Sequence, residues 1–193
     1  MDDTSIAGRK RATRAASRDA RRAIAPDVRA EASAAIAGLV GRLPEVEAAS
    51  TALVYGSMPE EVDAEPIIAA LRARGVRIAL PRVAGEEGLA LHWHDEAADL
   101  AIGAFGLKEP SPDAPLANPA EIDLVIVPGV AFDASCNRLG MGVGYYDRLL
   151  ADMPNAVTVG VAFDEQIVDA VPCEPHDRPL DAIVTPRGVR RRA

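Results

Sequence analysis

The stretch that decides the fold is "STALVYGSMPEEVDAEPIIAALRARGVRIALP", Ser50 to Pro81. Its first part, 50–57, is an apolar run of strand length and reads as a buried strand. A turn follows, then a helix from about Asp63 to Arg74, stopped by Gly75. A second strand comes at 76–81. Strand, helix and strand in that order make a βαβ unit, which implies a parallel sheet with a right-handed crossover.

The same alternation continues on either side. "GLALHWH" (88–94) alternates as a further strand, and 95–120, rich in Pro, Asp and Ala, reads mostly as loop. "DLVIVPGVAF" (123–132) is the strongest buried strand. A helix from about Gly144 to Ala151 and strands at 156–163 and 181–186 complete the series. Upstream, 5–24 reads as a basic helix that ends before Pro26. Asp27 is placed to cap a second helix reaching about Val40, with Gly41 near its end. There is no internal repeat. The expected architecture is a three-layer α/β domain, with a mainly parallel twisted sheet and helices on both faces. Residues 1–193 form a single domain in this reading. Its basic N-terminal helix, 1–26, packs on the body, and 188–193 is a flexible, solvated tail.

The chain's 193 residues suit one domain with a substantial core. A formal charge of −8 argues against a general nucleic-acid binder. Cys136 and Cys173 match no zinc spacing and make no disulfide framework, so they read as free thiols of a reducing compartment. The N-terminal "MDDTSIAGRK" lacks the apolar core of a signal peptide, and no apolar run approaches a membrane span. These features describe a soluble cytoplasmic protein.

The chemistry concentrates in "RLGMGVGYYDRLL", Arg138 to Leu150. A buried strand, a turn, a glycine run and a helix place this loop at a strand's carboxyl end, where α/β sheets bind ligands. Gly140, Gly142 and Gly144 free their N–H groups for an anion. The strict alternation matches neither a Walker loop nor the dinucleotide fingerprint. Spacing alone leaves a phosphate cradle and a tightly packed glycine turn both open. Arg138 can bind phosphate oxygens bidentately. Asp147, three residues past Gly144, either bridges to phosphate through Mg²⁺ or complements the helix dipole.

Lys10, Arg14 and Arg18 recur every four residues, and Arg21 or Arg22 continues the face. Such a stripe faces an anion, is a solvated basic face, or contacts nucleic acid, the last disfavoured because the stripe is short and lacks interleaved aromatics. Glu60, Glu61 and Asp63 lie between a strand end and a helix start. They complement the helix dipole, or one of them accepts hydrogen bonds from a ring N–H. His92 and His94 share a strand face with no evident third metal ligand, and Trp93 points the other way to pack.

Together, "VIVPGVAFDASCNRLGMGVGYYDRLL", Lys10 with Arg14, "SMPEEVDAEPII", "FGLKEP" and "HDRPLDAIVTP" resemble the pattern of the 5-formyltetrahydrofolate cyclo-ligase (5,10-methenyltetrahydrofolate synthetase) family over nearly the whole chain. The resemblance implies that ATP drives conversion of 5-formyltetrahydrofolate to 5,10-methenyltetrahydrofolate through a phosphorylated formyl group. By position it implies that Lys10, Arg14, Arg138, Leu139, Gly140, Met141, Gly142, Val143, Gly144 and Tyr146 contact ATP. Arg138 and Asp147 would act catalytically, and Asp147 and Asp181 would hold Mg²⁺. Glu61 would bind the pterin, while Tyr145 and Phe105 wall the folate site. The partners are small molecules, with no nucleic acid or membrane, and the protein is expected to be a monomer. The chain departs from the pattern at Cys136, where members carry glycine, and at Gly56, Ala64 and Val143. A related ATP-using enzyme with another formyl or amide substrate is the alternative, as is a non-catalytic folate- or RNA-binding protein.

Overall fold

The computed structural model describes residues 5–85, 88–95, 100–103, 106–174 and 177–192. The chain starts with α1 (Ile6–Ala23), α2 (Pro26–Val40) and the short α3 (Pro44–Ala48). Ser5 caps α1 through its side chain. The cap of α2 is Ala25 rather than the expected Asp27, because Pro26 takes the first helical position, where its missing N–H costs nothing.

The stretch from Ser50 folds as β1 (Thr51–Leu53), α4 (Glu65–Arg72) and β2 (Arg77–Val83), and β1 pairs with β2 in parallel. β3 (Leu89–Trp93) returns antiparallel to β2. The segment expected to be loop carries a small antiparallel pair, β4 (Ala101–Ile102) with β5 (Lys108–Glu109). The strong apolar run is divided. β6 (Leu124–Val127) belongs to the main sheet, and after Pro128 and Gly129 the chain turns into a hairpin of β7 (Ala131–Phe132) and β8 (Arg138–Leu139). α5 (Tyr145–Ala151), β9 (Val157–Val161), β10 (Ala182–Thr185) and β11 (Gly188–Arg191) follow.

The seven-stranded sheet runs β11-β10-β9-β6-β1-β2-β3, parallel except at its two edges. The alternation of side chains along each strand sends them to two cores. Ala52, Ile78, Leu124, Ile126 and Val159 pack with Ile36, Val40, Ile67 and Leu71 of α2 and α4. Leu53, Ala79, Val125, Val127 and Ile183 pack with Leu149 and Leu150 of α5 on the opposite face. The fold is therefore the expected α/β sandwich, with helices on both faces.

The C-terminus corrects one expectation. Residues 188–191 are not a frayed tail but β11, paired in register with β10. Arg191 is held by an ion pair to Glu45 of α3. Backbone pairing is indifferent to the polar side chains that made this segment read as solvated.

Two glycines and one cysteine reveal close quarters near the future site. A Cβ on Gly129 would stand 2.5 Å from the Phe132 ring, and one on Gly160 2.9 Å from it, so both positions make room for this fully buried side chain. Cys136 has φ +62, a left-handed conformation that a glycine adopts without strain. It is the position where the resembling pattern carries glycine.

Candidate active site

Strand order reverses between β1 and β6, and the cleft opens at their carboxyl ends, as α/β topology leads one to expect. Tyr55 and Gly56 leave β1, and Pro128 and Gly129 leave β6, to form its floor. Pro81, Val83 and Leu89 of β2 and β3, with Leu107, Lys108 and Glu109 around β5, make one wall. The other is Arg138, Gly140, Met141 and Val143 to Asp147. Met58 and Glu61 close one end. The lining is mostly apolar with a few convergent polar groups, the usual constitution of a small-molecule site.

The glycine loop is clamped from above by α1. The Arg14 Nε donates to the Gly140 carbonyl at 2.8 Å, and Arg18 reaches the Met141 carbonyl at 3.4 Å. Arg138 rises from β8 into the same space. Its guanidinium is ion-paired with Asp147 and lies 5.8 Å from the Tyr146 ring centroid. A Cβ on Gly140 would stand 2.9 Å from Arg138 Nη1. Gly142 and Gly144 have φ +104 and +77, which carries the loop sharply into α5, with Gly144 as its cap. The glycines thus both shape the loop and give Arg138 its room.

Lys10 lies at one side of this cradle with Glu174 Oε2 at 2.7 Å and Asp177 Oδ2 at 2.6 Å. Burial lowers its proton affinity, but the hydrogen bonds and charges of those two carboxylates outweigh it and hold the ammonium above its ordinary range. Burial and Arg18 depress the Arg14 guanidinium, while Asp147 and Asp177 act the other way. Asp147 and Asp177 therefore share the surroundings of Arg14.

Asp181 is elsewhere, which corrects the expected Asp147–Asp181 metal pair. Its Oδ2 accepts from the Thr158 backbone N–H at 2.9 Å and from the Thr158 hydroxyl at 2.8 Å, at the amino ends of β9 and β10. The four residues of β10, at about 3.3 Å each, put roughly 13 Å between that end and the carboxyl edge that bears the cleft. Asp181 ties two strands together. The cradle-side carboxylate in the C-terminal segment is Asp177, four positions earlier.

At the other end of the cleft Glu61 accepts from the Met58 backbone N–H at 3.1 Å and from Arg21 Nη1 at 3.4 Å. Burial pushes its carboxyl up, against these two donors. The Tyr146 hydroxyl is buried and has no hydrogen-bond partner among the described residues, and its phenol is pushed up by burial and the nearby Glu61. Leu139 is buried at the base of the loop, and Met141 and Val143 are exposed above it. Phe105 lies outside the described residues. His92 is buried with its ring on the Ala114 carbonyl at 2.8 Å, and Trp93 stacks under Arg77; neither lines the cleft that Leu89 of the same strand walls.

The residue types missed by sequence reading are those whose partners are remote. Glu109, in "FGLKEP", is buried against the cleft with Arg82 at 3.4 Å, and Gly103 is bare because a Cβ there would overlap its carboxylate. Glu174 and Asp177 grip Lys10 across more than 160 positions of sequence, a pairing with no local signal.

Fold and site together define a doubly wound α/β protein in which an apolar cleft meets a glycine loop flanked by Arg14 and Arg138 at the topological switch point. The model of the 5-formyltetrahydrofolate cyclo-ligase family matches residues 6–186, and the chain belongs to that family. It is 36% identical over 178 residues to the 5-formyltetrahydrofolate cyclo-ligase of Escherichia coli K12, covering 89% of this chain and 97% of that one. The solution structure of Aquifex aeolicus 5,10-methenyltetrahydrofolate synthetase superposes with a TM-score of 0.84 at 34% identity, over 94% of this chain and 92% of that one. A 5,10-methenyltetrahydrofolate synthetase from Mycoplasma pneumoniae has a TM-score of 0.74 at 23% identity, over 92% of this chain and 98% of that one, and speaks to the fold alone.

Proposed function

We propose that the protein uses ATP to close 5-formyltetrahydrofolate into 5,10-methenyltetrahydrofolate, releasing ADP and phosphate. The observation that carries this is the meeting, in a chain of this family, of a cleft lined by Glu61 with a glycine loop held by Arg14 and packed beside Arg138. The flat pterin lies in the apolar cleft against Tyr145, with Glu61 accepting hydrogen bonds from its ring N–H groups. The triphosphate lies over Gly140 to Gly144, within reach of Lys10, Arg14 and Arg138. Lys10 then exchanges Glu174 and Asp177 for phosphate oxygens.

In the first step the formyl oxygen attacks the γ-phosphorus, and the bond to the bridging oxygen breaks, its electron pair leaving with ADP. In the second, N10 of the folate attacks the formyl carbon. The carbon–oxygen bond breaks, phosphate departs with the former formyl oxygen, and N10 loses its proton. The protein's part is to hold formyl and phosphoryl groups in contact, exclude water, and neutralise charge through Arg138 and Lys10.

Asp147 is the carboxylate at the cradle, and Asp177 also acts on Arg14. No group of three potential metal ligands stands together among the described residues. This donor set fits Mg²⁺, which takes one or two carboxylates and completes its shell with phosphate oxygens and water. When bound, Mg²⁺ supplies charge neutralisation on the phosphates. No helix among the described residues is long and apolar enough to cross a membrane, and the free thiols Cys136 and Cys173 suit the reducing cytoplasm.

The test mixes protein, 5-formyltetrahydrofolate, ATP and Mg²⁺ and follows the ultraviolet absorbance of the methenyl product. An ATP-dependent rise is expected. With ¹⁸O in the formyl group, the label should appear in the released phosphate. No rise despite ATP binding would transfer the reading to a different acceptor, and unlabelled phosphate would remove the phosphorylated formyl intermediate.

A further inference from the structure

The helix that clamps the glycine loop also reaches the far end of the cleft. Arg21, two turns beyond Arg14 on α1, is only 4% exposed, an unusual position for a guanidinium. Its one ion-pair partner among the described residues is Glu61, whose own side chain is 11% exposed. The contact is long, at 3.4 Å, and engages only Nη1. The Arg21 Nε has no hydrogen-bond partner among the described residues. A guanidinium serving packing alone would be costly here, since burial of an incompletely paired charge is unfavourable. What the arrangement does provide is a fixed positive group behind the carboxylate that faces the cleft.

Glu61 has donors on both oxygens already. Met58 N–H bonds Oε2 and Arg21 bonds Oε1, which sets the plane of the carboxylate and leaves its outer lone pairs toward the cleft. We propose that Arg21 is a positioning residue for the folate substrate, holding the Glu61 carboxylate ionised and aimed so that it accepts the two N–H donors of the pterin edge. This rests on the cyclo-ligase reading of the cleft. Because Arg21, Arg14 and Lys10 lie on one helix, the same rigid element aligns the pterin end of the cleft with the phosphate cradle.

The charged and titratable groups facing Glu61 are Arg21 from α1, Glu60 beside it, and Tyr55 and Tyr146 from the cleft floor and wall. Burial and Glu60 favour the protonated carboxyl, and Arg21 is the cationic group among them that opposes this. A protonated Glu61 keeps only one oxygen free to accept, so losing Arg21 weakens folate binding most at low pH.

The experiment is steady-state kinetics of wild type, Arg21→Met, Arg21→Lys, Glu61→Gln and the Arg21→Met/Glu61→Gln double variant. Arg22→Gln is the control, an equal charge change on the exposed neighbour. Arg21→Met is expected to raise KM for 5-formyltetrahydrofolate about 10–100-fold, the worth of a charged hydrogen bond. KM for ATP should stay within a few-fold. The acid limb of its kcat/KM profile for folate should move to higher pH. Arg21→Lys should recover part of the loss, and Arg21→Met should add little in the Glu61→Gln background. Equal losses for folate and ATP, an unshifted acid limb, or additivity of the two single variants would each make Arg21 merely structural and overturn the proposal. Should Arg21→Met fail to fold, the Arg21→Lys pH profile decides alone. A wild type without ATP-dependent turnover overturns the cyclo-ligase reading and this proposal with it. An active wild type with unaltered Arg21 variants overturns this proposal only.

Discussion

Gly140→Ala and Gly144→Ala look equivalent in sequence and should fail in opposite ways. Gly140 has a backbone conformation open to any residue, but its added methyl would meet Arg138 Nη1 at 2.9 Å. The guanidinium must move, and it is the group that the proposed function assigns to the phosphates. A charge-assisted hydrogen bond of this kind contributes about 1.5–3 kcal/mol, so kcat/KM for ATP should fall roughly 10–150-fold. Stability should change by less than about 1 kcal/mol, because a Gly→Ala change in an unstrained conformation restricts the unfolded chain. Gly144 has φ +77 and its methyl would meet only the movable end of Arg148, at 3.0 Å. Its cost is backbone strain of about 1–2 kcal/mol. At about 2–4 °C per kcal/mol for a domain of this size, Tm should drop by about 2–8 °C. Turnover assays against ATP concentration and thermal melts on the same preparations separate the two. A Gly140→Ala enzyme with normal kcat/KM and a lowered Tm would refute the argument that this glycine exists to seat Arg138.

Asp181→Ala should leave turnover and its Mg²⁺ dependence intact in the folded enzyme while costing about 1–3 kcal/mol, since it removes the acceptor of two Thr158 hydrogen bonds; urea denaturation with a metal titration checks both halves. Deleting 188–193 should destabilise by about 2–4 kcal/mol, because it strips the paired edge from β10; an unchanged urea midpoint would restore the frayed tail. Acid should destabilise the fold through Asp133 and Asp123. Burial pushes both carboxyls up, but hydrogen bonds from Val171, Asn137 and Ser135 to the first, and from Ser50 and Thr51 to the second, outweigh it and hold them below the usual range. Their contribution is complete above the unfolded value of about 3.9 and is lost as pH falls through the lower folded values. Their share of the urea midpoint should therefore be constant from neutral pH to about pH 5 and be lost below it, on top of an earlier loss from His94, whose imidazole burial holds below its ordinary range, and the acid fall should be shallower in Asp133→Asn.

What the sequence determined by itself is the part governed by short-range periodicity. The apolar runs and their spacing were enough for the βαβ unit at 50–81, for β6 and β9, and for both helix-covered faces of the sheet, because alternation along a strand and the 3.6-residue helical period are local properties. That the glycine run, Arg138 and Asp147 lie together beside the cleft was also legible, since a loop at a strand's end is a contiguous segment. Tertiary structure decided everything that depends on which distant groups share one space. It alone placed Asp177 at the cradle and Asp181 at the opposite end of β10, four residues apart in sequence. It alone paired Arg21 with Glu61, seated Glu109 against Arg82, and recruited the basic C-terminus as β11. The physical reason is common to these cases. A carboxylate or a backbone N–H is chemically the same wherever it occurs, and its role follows from the partner that folding brings within about 3 Å of it.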